Sequence, residues 1–140
     1  MDIVVKNLGL TDYEKTWGEM KDFIASNPEE DELWITEHLP IFTTGVNKNK
    51  SVIPKTNITH LFVDRGGKIT YHGPGQLIIY TLINIKKNNI TIRQLVSLLE
   101  NSIIDFLEKN KINSYSKIDA PGVYTDEKKI CSIGLRIKKN

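Results

Sequence analysis

Cysteine is almost missing from this chain: Cys131 is the only one in 140 residues. A single thiol excludes an internal disulfide and any zinc cage built from cysteines. Histidine is scarce as well. His38, His60 and His72 lie more than ten residues apart and none falls in an HExxH spacing, so no metal site is expected. No apolar run approaches the roughly 18 residues that would span a bilayer. The N-terminal MDIVVKN has no basic stretch leading into a long apolar segment, so the reading is a cytoplasmic protein with no membrane association. Neither charge sign dominates, and a formal net charge of +2 is too small to announce a nucleic-acid partner. The Walker pattern GxxxxGK(S/T) and the dinucleotide spacing GxGxxG are both absent.

What is there fits one globular domain. Hydrophobic residues make up 39% and charged residues 26%, with no repeat or composition break. Lysines gather at 48 to 50, 86 to 87, 128 to 129 and 138 to 139. Each cluster is read first as solvated surface, and together they would attract an acidic partner.

The periodicities alternate between strand and helix. Residues 3 to 5 read as a strand, and Thr11 with Glu14 matches a capping box before Tyr13, Trp17, Met20 and Ile24 on one helical face. Asn27-Pro28 stops that run. LWITEH at 33 to 38 and HLFVD at 60 to 64 read as strands, with a polar loop from Thr43 to Thr56 between them. Leu77 to Ile85 is almost continuously apolar, which predicts a central strand covered on both sides. Thr91 and Gln94 form a second capping box, and Ile92, Leu95, Val96, Leu99, Ile103 and Phe106 predict a helix ending near Asn110. GVYT and KICSIGLRI then read as two strands around a polar tip at Asp126-Glu127. This order predicts an α+β domain with helices packed on a mixed or largely antiparallel sheet.

Two segments hold the candidate chemistry. In RGGKITYHGPGQ, Gly73-Pro74-Gly75-Gln76 suits a type II turn, whereas Gly66 and Gly67 bare the backbone beside Arg65, where a ligand can lie close. In DAPGVYTDEKKICSIGLRI, strict alternation puts Lys129 and Cys131 on one face. An ammonium there would favour the thiolate, so the pair reads either as an activated nucleophile or as a packed cysteine beside a solvated lysine.

RGGKITYHGPGQLIIYTLINI, followed by a helix and DAPGVYTDEKKICSIGLRIKK, resembles the lipoyl(octanoyl) transferases. The resemblance extends through YEKTWGEM and LWITEHLPIFTTG and so covers nearly the whole chain. It implies an α+β biotin/lipoate protein ligase-like fold, a mixed sheet with packed helices related to class II aminoacyl-tRNA and biotin synthetases. It implies transfer of an octanoyl group from octanoyl-acyl carrier protein to a lysine of lipoyl domains, those of 2-oxoacid dehydrogenases and the glycine cleavage H protein, through a cysteine thioester and without a cofactor.

Carried over residue by residue, Arg65, Gly66, Gly67, Lys68, Ile69, Thr70, Tyr71 and His72 match the family's first substrate-binding segment. Ser132, Ile133 and Gly134 match the second, and Lys129 matches the lysine that lowers the nucleophile's pKa. Gly66, Gly67 and Lys129 are then expected to line one slot for a fatty thioester. By the same resemblance the nucleophilic cysteine falls beyond Asn140, so residues 1–140 are expected to be a single catalytic domain without its C-terminal part, and Cys131 is not the nucleophile. Two alternatives stand beside this reading: an ATP-dependent lipoate ligase, and a non-catalytic module that holds an acyl chain or carrier protein.

Overall fold

The computed structural model describes residues 3–47 and 52–138; the lysine cluster at 48 to 50 lies outside them. The chain forms two compact units, one of Met1–Asn84 with Arg136–Asn140, the other of Ile85–Leu135. Both are α+β, as expected.

The first unit holds two three-stranded mixed sheets. In one, β2 (Asp31–His38) lies between β1 (Ile3–Thr11), which is parallel to it, and β6 (Ile78–Leu82), which is antiparallel. Along β2 the pleat sorts the side chains: Glu32, Trp34, Thr36 and His38 are buried, while Leu33, Ile35 and Glu37 are half-exposed. In the other, β3 (Ile41–Thr44) pairs in parallel with β4 (His60–Phe62) and antiparallel with β5 (Ile69–His72). Thr43 and Thr44 are therefore buried strand residues rather than the start of a loop.

The apolar run at 77 to 85 does not form a central strand. β6 pairs only with β2 among the described residues, and Leu77 and Ile79 are exposed. Side chains that are apolar on both faces report composition, not a strand's place in the order.

Helix α1 (Tyr13–Ala25) starts one residue later than the Thr11 capping box predicts. Asp12 is the N-cap and its Oδ1 accepts the Lys15 N–H at 2.9 Å. Thr11 is instead the last residue of β1, and its hydroxyl meets those of Thr36 at 2.8 Å and Thr16 at 2.9 Å. The predicted stop holds, since Ser26 caps the helix and Asn27 turns to a φ of 51° before Pro28. Tyr13, Ile41 and Val63 form the buried cluster, with Trp17 and Leu61 packed against it.

The second unit holds α2 (Ile92–Lys109) and an antiparallel sheet of β7 (Tyr115–Ser116), β8 (Gly122–Thr125) and β9 (Lys128–Ser132). Both arms of the Thr91–Gln94 capping box are present, and Asn110 is the C-cap. The buried face is rotated from the predicted one: Leu95, Glu100 and Leu107 are buried, while Ile92 and Phe106 are exposed. Asp126 and Glu127 turn the hairpin with φ of 47° and 61°, the signs of a type I′ turn. β9 stops at Ser132, short of the predicted Ile137.

Candidate active site

The RGGK loop of the first unit is built by its arginine. Arg65 Nη1 donates to the carbonyls of Gly66 (2.9 Å) and Lys68 (3.1 Å), and Nη2 donates to the Thr43 carbonyl (3.0 Å) and hydroxyl (2.8 Å). The guanidinium thus faces its own loop and β3. It orders backbone, rather than standing free as a charge beside the glycines. A second clamp comes from β3's end: the N–H groups of Gly45, Val46 and Asn47 donate to the carbonyls of Lys68, Arg65 and Gly67. Backbone meets backbone so closely that a Cβ on Gly45 would stand 2.6 to 2.9 Å from three carbonyl oxygens of residues 65 to 67. Gly67 has a φ of 91°, a region that favours glycine. Beyond the loop, Gly75 takes a φ of 88° and the Gln76 N–H closes on the Gly73 carbonyl, the type II turn expected from GPGQ.

Register places the loop's following residues. Ile41 pairs with His72 and Thr43 with Thr70 on one face of the β3–β5 ladder, while Phe42 with Tyr71 and Thr44 with Ile69 occupy the other. Phe42 and Tyr71 meet at a tilt on that second face, with centroids 5.2 Å apart.

On the first face the hydrogen bonds have a definite direction. Arg65 can only donate, so Thr43 Oγ1 accepts from it and passes its own proton toward His72 Nε2 at 3.2 Å. His72 Nδ1–H then donates to Gln76 Oε1 at 2.7 Å, and Gln76 Nε2 donates to the Tyr71 carbonyl. His38, fully buried, is fixed likewise: Nδ1 donates to the Thr11 carbonyl at 3.1 Å and Nε2 accepts the Tyr80 hydroxyl at 2.7 Å. Tyr13 stacks on His72 and meets His38 edge-on, with centroids 5.7 and 5.1 Å away. Burial pulls both imidazoles below their usual range, and for His72 the nearby Arg65 and His38 add to it. Burial also raises the Tyr13 and Tyr80 hydroxyls. The layer is therefore aromatic and held neutral, with Arg65 as its fixed cation. An open hollow of about 260 Å³ lined by Asn7, Leu10, Ile35, Glu37 and Leu77 touches none of residues 65 to 72.

Lys129, Cys131, Ser132, Ile133 and Gly134 belong to the second unit. A bulge in β9 corrects the predicted alternation. Lys129 is in register with Tyr124 and Cys131 with Val123, neighbours that alternate across β8, so ammonium and thiol fall on opposite faces. Lys129 Nζ donates to the Pro121 carbonyl at 3.0 Å and lies 5.2 Å from the Tyr124 ring centroid. Burial pushes the Cys131 thiol up, Lys129 opposes this, and Glu100 adds to it. The activated-nucleophile reading fails on both counts, and the packed-cysteine reading stands. Ser132 ends β9, with Ile133 and Gly134 just beyond it.

Residues 13–140 match the family described as the lipoyl protein ligase A/B catalytic domain. The chain belongs to that family. Within the lipoyl protein ligase A/B family it is 50% identical to the octanoyltransferase of Shewanella oneidensis over 138 residues, covering 96% of this chain and 64% of the relative. The octanoyltransferases of Shewanella frigidimarina and Shewanella sediminis are similar to it at 50% and 51% identity. The chain thus spans just under two thirds of the length of these curated relatives. Among solved structures, P. falciparum LipL1, in complex with lipoate, shares the fold with a TM-score of 0.59 at 14% identity, over 91% of this chain and 42% of that one. No helix of the described residues is long and apolar enough to cross a membrane.

Other residues of this lipoyl protein ligase A/B domain carry the geometry without a local sequence signal. Thr43 and Gly45 lie where the sequence reads as loop, and Tyr13, His38 and Tyr80 reach the layer from three separate elements. All of them, like Gln76, fall inside the quoted segments YEKTWGEM, LWITEHLPIFTTG and RGGKITYHGPGQLIIYTLINI, but no spacing within those segments marks them as neighbours in space.

Proposed function

We propose that this chain serves octanoyl transfer in lipoate biosynthesis, moving the acyl group from octanoyl-acyl carrier protein to a lysine of lipoyl domains through a cysteine thioester in the cytoplasm. Half-identity to curated octanoyltransferases across 96% of the chain carries the reading. The acceptors are the lipoyl domains of 2-oxoacid dehydrogenases and the glycine cleavage H protein. Residues 1–140 act as part of one catalytic domain, which the family match running from 13 to 140 across both compact units supports.

The roles are those that the resemblance implies, and the loop geometry supports the first of them. Arg65 holds the Gly66, Gly67 and Lys68 backbone in a fixed loop that lets an acyl thioester lie against it, as close-packed glycines allow. Ile69, Thr70, Tyr71 and His72 flank that loop as the first acyl-binding segment, and the neutral His72 offers an oriented dipole without a competing charge. Ser132, Ile133 and Gly134 form the second segment. Lys129 supplies the cation that lowers the pKa of a nucleophilic cysteine other than Cys131.

Octanoyl-carrier-protein titration with intact-mass readout tests this on the 140-residue chain, with and without ATP. Nucleotide-independent binding is expected, with no acyl adduct on Cys131. Arg65→Ala should weaken binding roughly tenfold or more, because four hydrogen bonds that order the loop are lost and each charge-assisted bond contributes about 1.5–3 kcal/mol when buried. Octanoyl-adenylate formed from octanoate and ATP would make the chain a ligase. An adduct on Cys131 would restore that thiol as nucleophile, and carrier binding lost in Arg65→Ala with no turnover in any longer form would leave a binding module.

A further inference from the structure

Two hydrogen bonds in the second unit share one peptide group. Gly122 N–H donates to Glu100 Oε1 at 2.9 Å, and the Pro121 carbonyl accepts Lys129 Nζ at 3.0 Å. That N–H and that carbonyl are the two ends of the Pro121–Gly122 peptide, which is trans, so they point in opposite directions. A carboxylate at the N–H end and an ammonium at the carbonyl end both align with the peptide dipole, and each bond strengthens the other by polarisation.

The local sequence is fitted to this arrangement. Gly122 has a φ of 135°, and a Cβ there would lie 2.5 Å from the Cys131 carbonyl oxygen and 3.2 Å from Lys129 Cε. The Tyr124 hydroxyl holds the Ala120 carbonyl at 2.9 Å while its ring lies beside Nζ. The acid itself is the unexpected part. Glu100 is 8% exposed in the middle of α2, and burying a carboxylate against a neutral N–H costs more than burying the amide of a glutamine would. A charge is worth having there if it acts on a cation, and the cation beyond the peptide is Lys129.

We propose that Glu100 is the positioning residue for the Lys129 ammonium, acting through the Pro121–Gly122 peptide. Its consequence for acyl transfer rests on the function proposed above, whereas the positioning does not.

Cys131 is a built-in reporter, since both Lys129 and Glu100 act on its thiol. Glu100→Gln and Glu100→Leu remove the same charge, but only glutamine keeps an acceptor for the Gly122 N–H. At low salt and neutral pH, iodoacetamide should alkylate Cys131 roughly threefold more slowly in Glu100→Leu than in Glu100→Gln, because the released ammonium no longer favours the thiolate. The difference should vanish when both are made in a Lys129→Met background. Equal rates in the two variants, or a difference that survives Lys129→Met, would overturn the proposal. Should Glu100→Leu fail to fold, the Gly122 amide resonance of nitrogen-15-labelled chains decides: it should shift in Lys129→Met, which leaves Glu100 in place, and an unmoved resonance refutes the coupling. Neither reading uses octanoyl transfer, so a failed function assay leaves this result interpretable.

Discussion

A single proton sets the character of the His38–His72 layer. Each ring has its Nδ1–H fixed by an acceptor and its Nε2 fixed by a hydroxyl donor, so a second proton on either ring would displace a hydrogen bond in a buried place. Burial lowers both pKa values from 6.5, and the unfolded chain therefore binds more protons than the folded one as pH falls through that value. Stability is full above pH 6.5 and is lost below it. The thermal midpoint is expected to be a few degrees lower at pH 5.5 than at 7.5, and replacing His72 by Gln should flatten the dependence. Equal midpoints at both pH values would mean that the rings charge freely. Little of this layer was legible beforehand: RGG and TYHGPGQ announced a site, yet Thr43, Tyr13, His38 and Tyr80 converge only through long-range pairing, which no local spacing encodes. The same limit misplaced Cys131, since one bulged residue in β9 is enough to turn Lys129 to the other face.

Among the elements, helices were read best because their signals are local. Both ends of α2 are legible from a capping box and a 3-to-4 apolar spacing, but its face is not: Ile92 and Phe106 are exposed, whereas Glu100 and Leu107, outside the predicted face, are buried. The start of α1 slipped by one residue because Thr11 and Asp12 are both good N-caps and β1 claims the first of them. β3 escaped notice altogether, being four residues long, preceded by Pro40 and half threonine. The corrected cap can be checked. Asp12→Ala should cost about 1 kcal/mol in urea unfolding, with Lys15 N–H losing its acceptor, and Asp12→Asn should recover most of it. No loss in Asp12→Ala would return the cap to Thr11.

For the whole molecule, apolar surface is unevenly distributed. The half-exposed face of β2 continues into its neighbours, where Val5 (58%), Leu10 (56%), Leu77 (67%) and Ile79 (42%) are open to solvent on and beside β1 and β6. Among the described residues β6 has no strand on its outer side, and an open sheet edge next to a greasy face is the usual prelude to association. A net charge of +2 offers little repulsion against it. The 140-residue protein is therefore expected to show a mass that rises with concentration in sedimentation equilibrium. Leu77→Lys combined with Ile79→Lys should return it toward 16.0 kDa by placing two like charges on the sheet, whereas Ile118→Lys, at a single residue 94% exposed in the second unit, should change nothing. A monomer at every concentration, or an Ile118 variant as effective as the β6 pair, would show that this face does not drive association.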